Sequence, residues 1–250
     1  MRTVIVSAGC SEHRRWAARL IQRAAALNDV PCLDLSDVAR WNGLTHPTWV
    51  KTQIWDLVPS DTDRVVWLDA DIFSVRRMPL EDVPEDAAFS AVPEADDALE
   101  HEMKKMGSQL AVATTVTNAG TYPVEDEEMN RRLNSPREKE KREKQKKYEG
   151  VLLRAPYCNA GVFVATRETE GLFRELGKRM KDDVQGCFLD QSWLNALLSG
   201  DINPLPKTWN WMIDSDDPPN GVINVHAAGL AVHEVVKVLR AMYAAGGSLC

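Results

Sequence analysis

Apolar residues along this chain fall alternately into short continuous runs and into stretches with a period near 3.6. Thr3-Val4-Ile5-Val6 is a β-branched run that predicts a buried strand. Trp16, Ala17, Leu20, Ile21, Ala24 and Leu27 then share one face of a helix. Residues 30–35 predict a second strand. Trp49, Ile54 and Leu57 keep helical spacing up to Pro59, and Asp61-Thr62-Asp63 is turn chemistry. Arg64-Val65-Val66-Trp67-Leu68 is too continuously apolar for a half-exposed strand and predicts one covered on both faces. Residues 87–92 predict another strand, stopped by Pro93.

The alternation breaks off after Pro93 and resumes near Pro156, so residues 95–150 are expected to be a charged insertion within a single domain spanning 1–250. Beyond it, residues 159–165 predict a strand, and Leu172, Phe173, Leu176 and Met180 form one apolar helix face. Residues 188–198 predict a shorter helix and residues 222–226 a last strand. Val232, Val235, Val236, Leu239 and Tyr243 predict a closing helix ended by Gly246-Gly247. Strands alternating with helices imply an α/β fold, Rossmann-like, with a mostly parallel central sheet flanked by helices.

Composition narrows the function classes. The chain has 250 residues, 44% of them hydrophobic and 27% charged, with no run long enough to span a membrane and no leader-like apolar stretch near its start. A cytoplasmic protein is the expectation. Its five cysteines (Cys10, Cys32, Cys158, Cys187, Cys250) include no C-x-x-C pair, and its five histidines show no zinc-finger spacing, so free thiols and no structural zinc are expected. Net charge is -7, yet residues 137–147 hold seven basic and three acidic side chains, a local +4 against -11 for the rest. That run reads either as a solvated helix of mixed charge or as an arm that meets an anionic substrate.

The chemistry concentrates after the third predicted strand. Asp69 and Asp71 lie two apart just beyond it, and an extended backbone points i and i+2 side chains the same way. Two carboxylates converging at a strand's carboxyl end suit a divalent cation carrying a phosphate-containing substrate. Around them, in order, stand Val65-Val66-Trp67-Leu68-Asp69-Ala70-Asp71-Ile72, Phe89-Ser90-Ala91-Val92-Pro93-Glu94 and Tyr157-Cys158-Asn159-Ala160-Gly161-Val162-Phe163. Leu189-Asp190-Gln191-Ser192-Trp193-Leu194-Asn195 and Val222-Ile223-Asn224-Val225-His226-Ala227-Ala228-Gly229 follow. Together these blocks resemble the GT-A glycosyltransferases, most closely glycosyltransferase family 8.

The resemblance implies a set of roles. Asp69, Asp71 and His226 match residues that hold a divalent metal bridging the donor's diphosphate, Mn²⁺ in preference to Mg²⁺ for a mixed oxygen and imidazole set. Such a metal would neutralise charge on the departing nucleotide diphosphate. Asp190 and Gln191 match an Asp-Gln pair beneath the donor sugar, with Gln near the anomeric carbon, although an Asp at a helix start is also ordinary capping chemistry. Asn159 and Gly161 match an Asn-x-Gly strand, with an amide for sugar hydroxyls and a small residue that lets the sugar approach; strand packing explains them equally. Lys51 sits where similar proteins carry a cation reaching the donor phosphates, or else it is a surface lysine. Ser7, Ala8 and Gly229 complete the donor-side set. Trp193, Trp209 and Trp211 read either as sugar or base platforms or as core.

The activity the resemblance implies is that of a metal-dependent hexosyltransferase that retains anomeric configuration. It would use a nucleotide-diphosphate sugar, UDP-hexose, and an acceptor hydroxyl. The acceptor is either a saccharide or a hydroxymethylated DNA base, the latter served by the 137–147 run. Departures exist: after His226 only Gly229 fits the family's His-x-x-Gly-x-Lys-Pro-Trp, and Ser7-Ala8-Gly9-Cys10 replaces an Ala-x-Asp strand end. A nucleotidyltransferase and an inactive sugar-nucleotide binder are the rival readings; Gly9 alone makes no phosphate loop.

Overall fold

A computed structural model describes residues 1–9, 13–41, 48–94, 153–182, 190–213, 220–227 and 237. The 95–150 segment with its basic run, Gly229 and most of the expected closing helix lie outside the described residues.

Period-two sorting of buried side chains builds the main sheet. Strands β1 (Thr3–Ser7), β2 (Cys32–Asp34), β3 (Arg64–Leu68), β5 (Phe89–Pro93), β6 (Cys158–Thr166) and β7 (Asn203–Pro204) form a six-stranded sheet in the order β2-β1-β3-β6-β5-β7. Val4, Val6, Val65, Trp67, Phe163 and Ala165 point to one side, where they meet Trp55, Phe173, Leu176 and Trp193. Ile5, Val66, Leu68, Val162 and Val164 point to the other, against Ile21, Ala24 and Trp209. Each such side chain contributes roughly 1.5–3 kcal/mol on burial. Phe163 is the aromatic hub, with ring centroids at 6.2 Å from Trp67, 5.1 Å from Phe89 and 5.7 Å from Phe173.

The sheet is mostly parallel, with β6 running against both neighbours. The helices expected on its faces are present: α1 (His13–Asn28), α5 (Glu170–Asp182) and α6 (Asp190–Leu198). Phe173, Leu176 and Met180 are buried on α5, as its spacing requires. The helix expected over 49–57 is two short pieces, α3 (Thr48–Lys51) and α4 (Ile54–Leu57). Thr52 explains the break: its hydroxyl donates to the Trp49 carbonyl at 2.7 Å, and the Thr52 and Gln53 amides make tightened bonds to Trp49 and Val50. Between β2 and α3, α2 (Ser36–Trp41) starts on a turn in which Asp34 accepts from the Ser36 amide.

The last predicted strand is shorter than expected and does not join the main sheet. Strands β4 (Ile72–Ser74), β8 (Trp211–Met212) and β9 (Asn224–His226) form a separate sheet in the order β4-β9-β8. Ile72 pairs with His226 across the antiparallel β4–β9 ladder, and this register brings the histidine back beside the Asp69-Ala70-Asp71 turn. Among the described residues, Cys32 and Cys158 are free thiols, and burial with the nearby Glu94 charge pushes the Cys158 thiol up to about 12.

No helix among the described residues is long and apolar enough to cross a membrane. The chain leaves β1 to one side for β2 and returns on the other side as β3. Ligands of open α/β sheets sit beyond the strands' carboxyl ends at such a reversal, which is where Ser7, Ala8 and Asp69 lie.

Candidate active site

The site is assembled on a buried cation. Lys51, the last residue of α3, keeps only 3% of its side chain exposed. Its Nζ lies 2.6 Å from Asp190 Oδ2 and 2.9 Å from Asp69 Oδ1, and it donates to the Ala160 carbonyl at 3.0 Å. The ammonium also stands 5.4 Å from the centre of the Trp67 ring, a cation–π contact. Burial by itself lowers the Lys51 pKa, and the Asp190 and Asp69 carboxylates more than reverse this, holding it above the ordinary lysine value. A surface lysine is thereby excluded.

Asp69 is fixed from three directions. Its amide donates to the Gly161 carbonyl at 2.8 Å, its Oδ1 accepts from the Trp67 indole at 2.6 Å, and Lys51 approaches the same oxygen. Burial raises its pKa first; Lys51 opposes that, while Asp190 and Asp71 add to it. Asp71 lies across a tight turn, its carbonyl accepting from the Ala227 amide at 3.1 Å. His226 Nε2 is 3.5 Å from Asp71 Oδ1.

Ligand atoms of Asp69, Asp71 and His226 all lie within 4.8 Å of one another. Two hard carboxylates and one imidazole fit a divalent ion such as Mn²⁺ or Mg²⁺. The histidine supports that fit. It is 5% exposed and directs Nε2, a nitrogen able to ligate, toward Asp71. The ring is confined, because a Cβ built on Gly161 would come within 2.6 Å of His226 Cε1 and 2.8 Å of Asn159 Oδ1. The glycine therefore makes room for the imidazole, where the sequence suggested room for a sugar.

The start of α6 faces the same point. Asp190, with 9% of its side chain exposed, is paired with Lys51. Gln191 Oε1 accepts from the Ala160 amide at 3.1 Å, and its Nε2 donates to Glu94 at 2.8 Å. Asn159 Nδ2 donates to the same Glu94 oxygen at 2.9 Å. Asn195, one turn beyond Gln191, binds both the amide and the carbonyl of Cys158 and so fastens α6 to β6.

The structure thus brings Lys51, Asp69, Asp71, Asn159, Gly161, Asp190, Gln191 and His226 together. Ser7 and Ala8 are buried at the end of β1, where the Ser7 carbonyl accepts from Leu35. Gly229 lies outside the described residues. Trp193, Trp209 and Trp211 are buried in three hydrophobic clusters, so the core reading holds for them and the platform reading is corrected. Sequence reasoning missed Glu94, Asn195 and the Trp67 indole; the helical i+4 spacing of Gln191 and Asn195 was the one available signal.

The sequence matches the family described as glycosyl transferase family 8 over residues 16–226. The chain belongs to that family. A comparison with curated proteins finds no match. Among solved structures, the bifunctional glycosyltransferase WbbM in its apo form is 16% identical with a TM-score of 0.57, over 92% of this chain and 46% of that one. The family 8 chain described here thus spans about half the length of WbbM. A glycosyltransferase involved in glycosylating the major capsid of PBCV-1 is 11% identical, with a TM-score of 0.54 over 96% and 100% of the two chains. LgtC, as a glutamine-to-glutamate active-site variant, is 15% identical, with a TM-score of 0.52 over 91% and 88%. These likenesses show the GT-A fold.

Two substitutions test this family 8 site as built. Lys51→Met leaves the buried Asp190 and the half-buried Asp69 without their cation and is expected to cost about 3–5 kcal/mol in urea unfolding. Near-neutrality would mean that the carboxylates find another partner. Gly161→Ala is expected to force the His226 ring away from Asp71 and to cost about 1–3 kcal/mol through overpacking. An unchanged unfolding midpoint would show that the ring is free to move.

Proposed function

We propose that this family 8 protein transfers a hexose from UDP-hexose to an acceptor hydroxyl, with retention and with Mn²⁺ or Mg²⁺ held by Asp69, Asp71 and His226. The carrying observation is the convergence of those three side chains at the reversal point of the sheet, beside the Lys51–Asp190 pair. In this reading the bound metal supplies Lewis-acid neutralisation of the diphosphate leaving group. Ser7 and Ala8 line the nucleotide side, and Gly229, outside the described residues, is assigned to the donor side on the family's motif alone.

The chain's own residues do the positioning. Lys51 holds Asp190 and Asp69 at fixed separation, so it acts on the donor through those carboxylates. Its three short contacts leave direct phosphate binding a lesser part of its role. Asp190 accepts from donor hydroxyls with its remaining lone pairs, and the amides of Asn159 and Gln191 bracket the sugar ring. Gln191 lies near the anomeric carbon in this reading, as the family's Asp-Gln pair implies, and LgtC also has a glutamine in its active site. The anomeric bond to the diphosphate breaks, the acceptor oxygen forms the new bond, and its proton leaves with the diphosphate.

A saccharide hydroxyl is the acceptor we favour within a single domain of 1–250, with residues 95–150 as an acceptor-side lid. Free thiols at Cys32 and Cys158 fit a reducing, cytosolic setting.

The test is UDP release from a panel of UDP-sugars with Mn²⁺ or EDTA, for the wild type and Asp71→Ala. Saccharide and hydroxymethylated-DNA acceptors are compared in parallel. Metal-dependent release that falls to background in the variant and responds to saccharides is expected. Stimulation by the DNA alone would reassign the acceptor. Release from no donor, with donor binding indifferent to metal, would leave an inactive sugar-nucleotide binder, and formation of UDP-sugar from UTP and a sugar phosphate would indicate a nucleotidyltransferase.

A further inference from the structure

Glu94 lies immediately after β5, half-buried, its amide donating to the Tyr157 carbonyl at 2.8 Å. Its Oε1 accepts from Asn159 Nδ2 at 2.9 Å and from Gln191 Nε2 at 2.8 Å. The opposite ends of those two side chains are also occupied. Asn159 Oδ1 accepts from the Gly161 amide at 2.8 Å, and Gln191 Oε1 accepts from the Ala160 amide at 3.1 Å. Backbone N–H groups only donate and a carboxylate only accepts. Consecutive amides of β6 on one side and one carboxylate on the other therefore dictate which way both side-chain amides face.

We propose that Glu94 is a positioning residue that locks the Asn159 and Gln191 amides in one orientation. Turning either amide over would set its NH₂ against a backbone N–H and its carbonyl against the carboxylate. That exchanges two hydrogen bonds, one of them to a charged group, for two repulsive contacts. The lock has a chemical consequence. Each amide nitrogen spends one hydrogen on Glu94 and keeps a second, so the pair presents N–H donors for sugar hydroxyl oxygens. The Gln191 carbonyl, in turn, is tied to the strand. Asn210 reinforces the arrangement by donating to Asn159 Oδ1 at 2.8 Å.

This inference rests on the glycosyl-transfer reading for its catalytic consequence, but the lock itself is a property of the free chain. The experiment therefore has two parts on the whole 250-residue chain. The first records side-chain ¹⁵NH₂ signals without metal or donor, assigned with N159A and Q191A. Both signals are expected to move in E94A and to move less in E94Q, which keeps a carbonyl acceptor and the shape of the glutamate should E94A fold poorly.

The second measures transfer. E94A is expected to lose about 100-fold in kcat, the scale of a small misplacement at a reacting centre. E94Q should recover most of that loss, and E94A/Q191A should be no slower than the slower single variant, because the two residues act as one unit. Amide signals unmoved in E94A, losses that multiply in the double variant, or an E94Q as slow as E94A would overturn the proposal. A wild type that transfers no sugar would sink the glycosyl-transfer reading while the amide signals still decide the lock.

Discussion

One buried ammonium sets the geometry of this site. Lys51 ends α3 and reaches a point where the carboxyl end of β3, the start of α6 and the first residues of β6 come together through Asp69, Asp190 and the Ala160 carbonyl. A buried ion pair of this kind rarely adds net stability, because the desolvation of both charges offsets most of their attraction. What it supplies here is registration: three elements distant in sequence can satisfy the cation in only one arrangement. The surplus of negative charge follows directly. Asp69 feels the charges of both Asp190 and Asp71 besides that of Lys51, an environment suited to a divalent cation and poorly suited to a bare phosphate.

The reversed direction of β6 makes this convergence possible. Its backbone serves both sides of the site at once: Gly161 accepts from Asp69 and donates to Asn159, while Ala160 accepts from Lys51 and donates to Gln191. The second sheet closes the remaining side. Because β9 pairs antiparallel with β4, residue 226 falls opposite residue 72, and only a glycine at 161 leaves space for an imidazole there. Sheet topology thus places the cluster, and local packing fixes its atoms.

Much of this was legible in the chain before folding was considered. Arg64 to Leu68 is a strand to the residue, since a continuous apolar run bounded by turn chemistry leaves few alternatives. The order of motifs around Asp69-Ala70-Asp71 anticipated the meeting of Asp69, Asp71, Asp190, Gln191 and His226. The direction of β6 was hidden because period-two alternation is the same read forwards or backwards. The small sheet was hidden because strands of two or three residues carry no periodicity. Lys51 looked equally like a surface or a phosphate residue, since its burial comes from partners 18 and 139 positions away along the numbering. Glu94 follows the proline that stops the predicted strand and had no role of its own there; its value lies in two amides that only tertiary structure brings to it.

The most direct measurement of the central claim is a crystal structure of the chain soaked with Mn²⁺ and UDP, with the metal located by anomalous scattering. The account predicts one strong peak bounded by Asp69, Asp71 and His226 Nε2, with Lys51 still bridging Asp69 and Asp190. A metal bound elsewhere, or a Lys51 that has left both carboxylates for a phosphate, would contradict it.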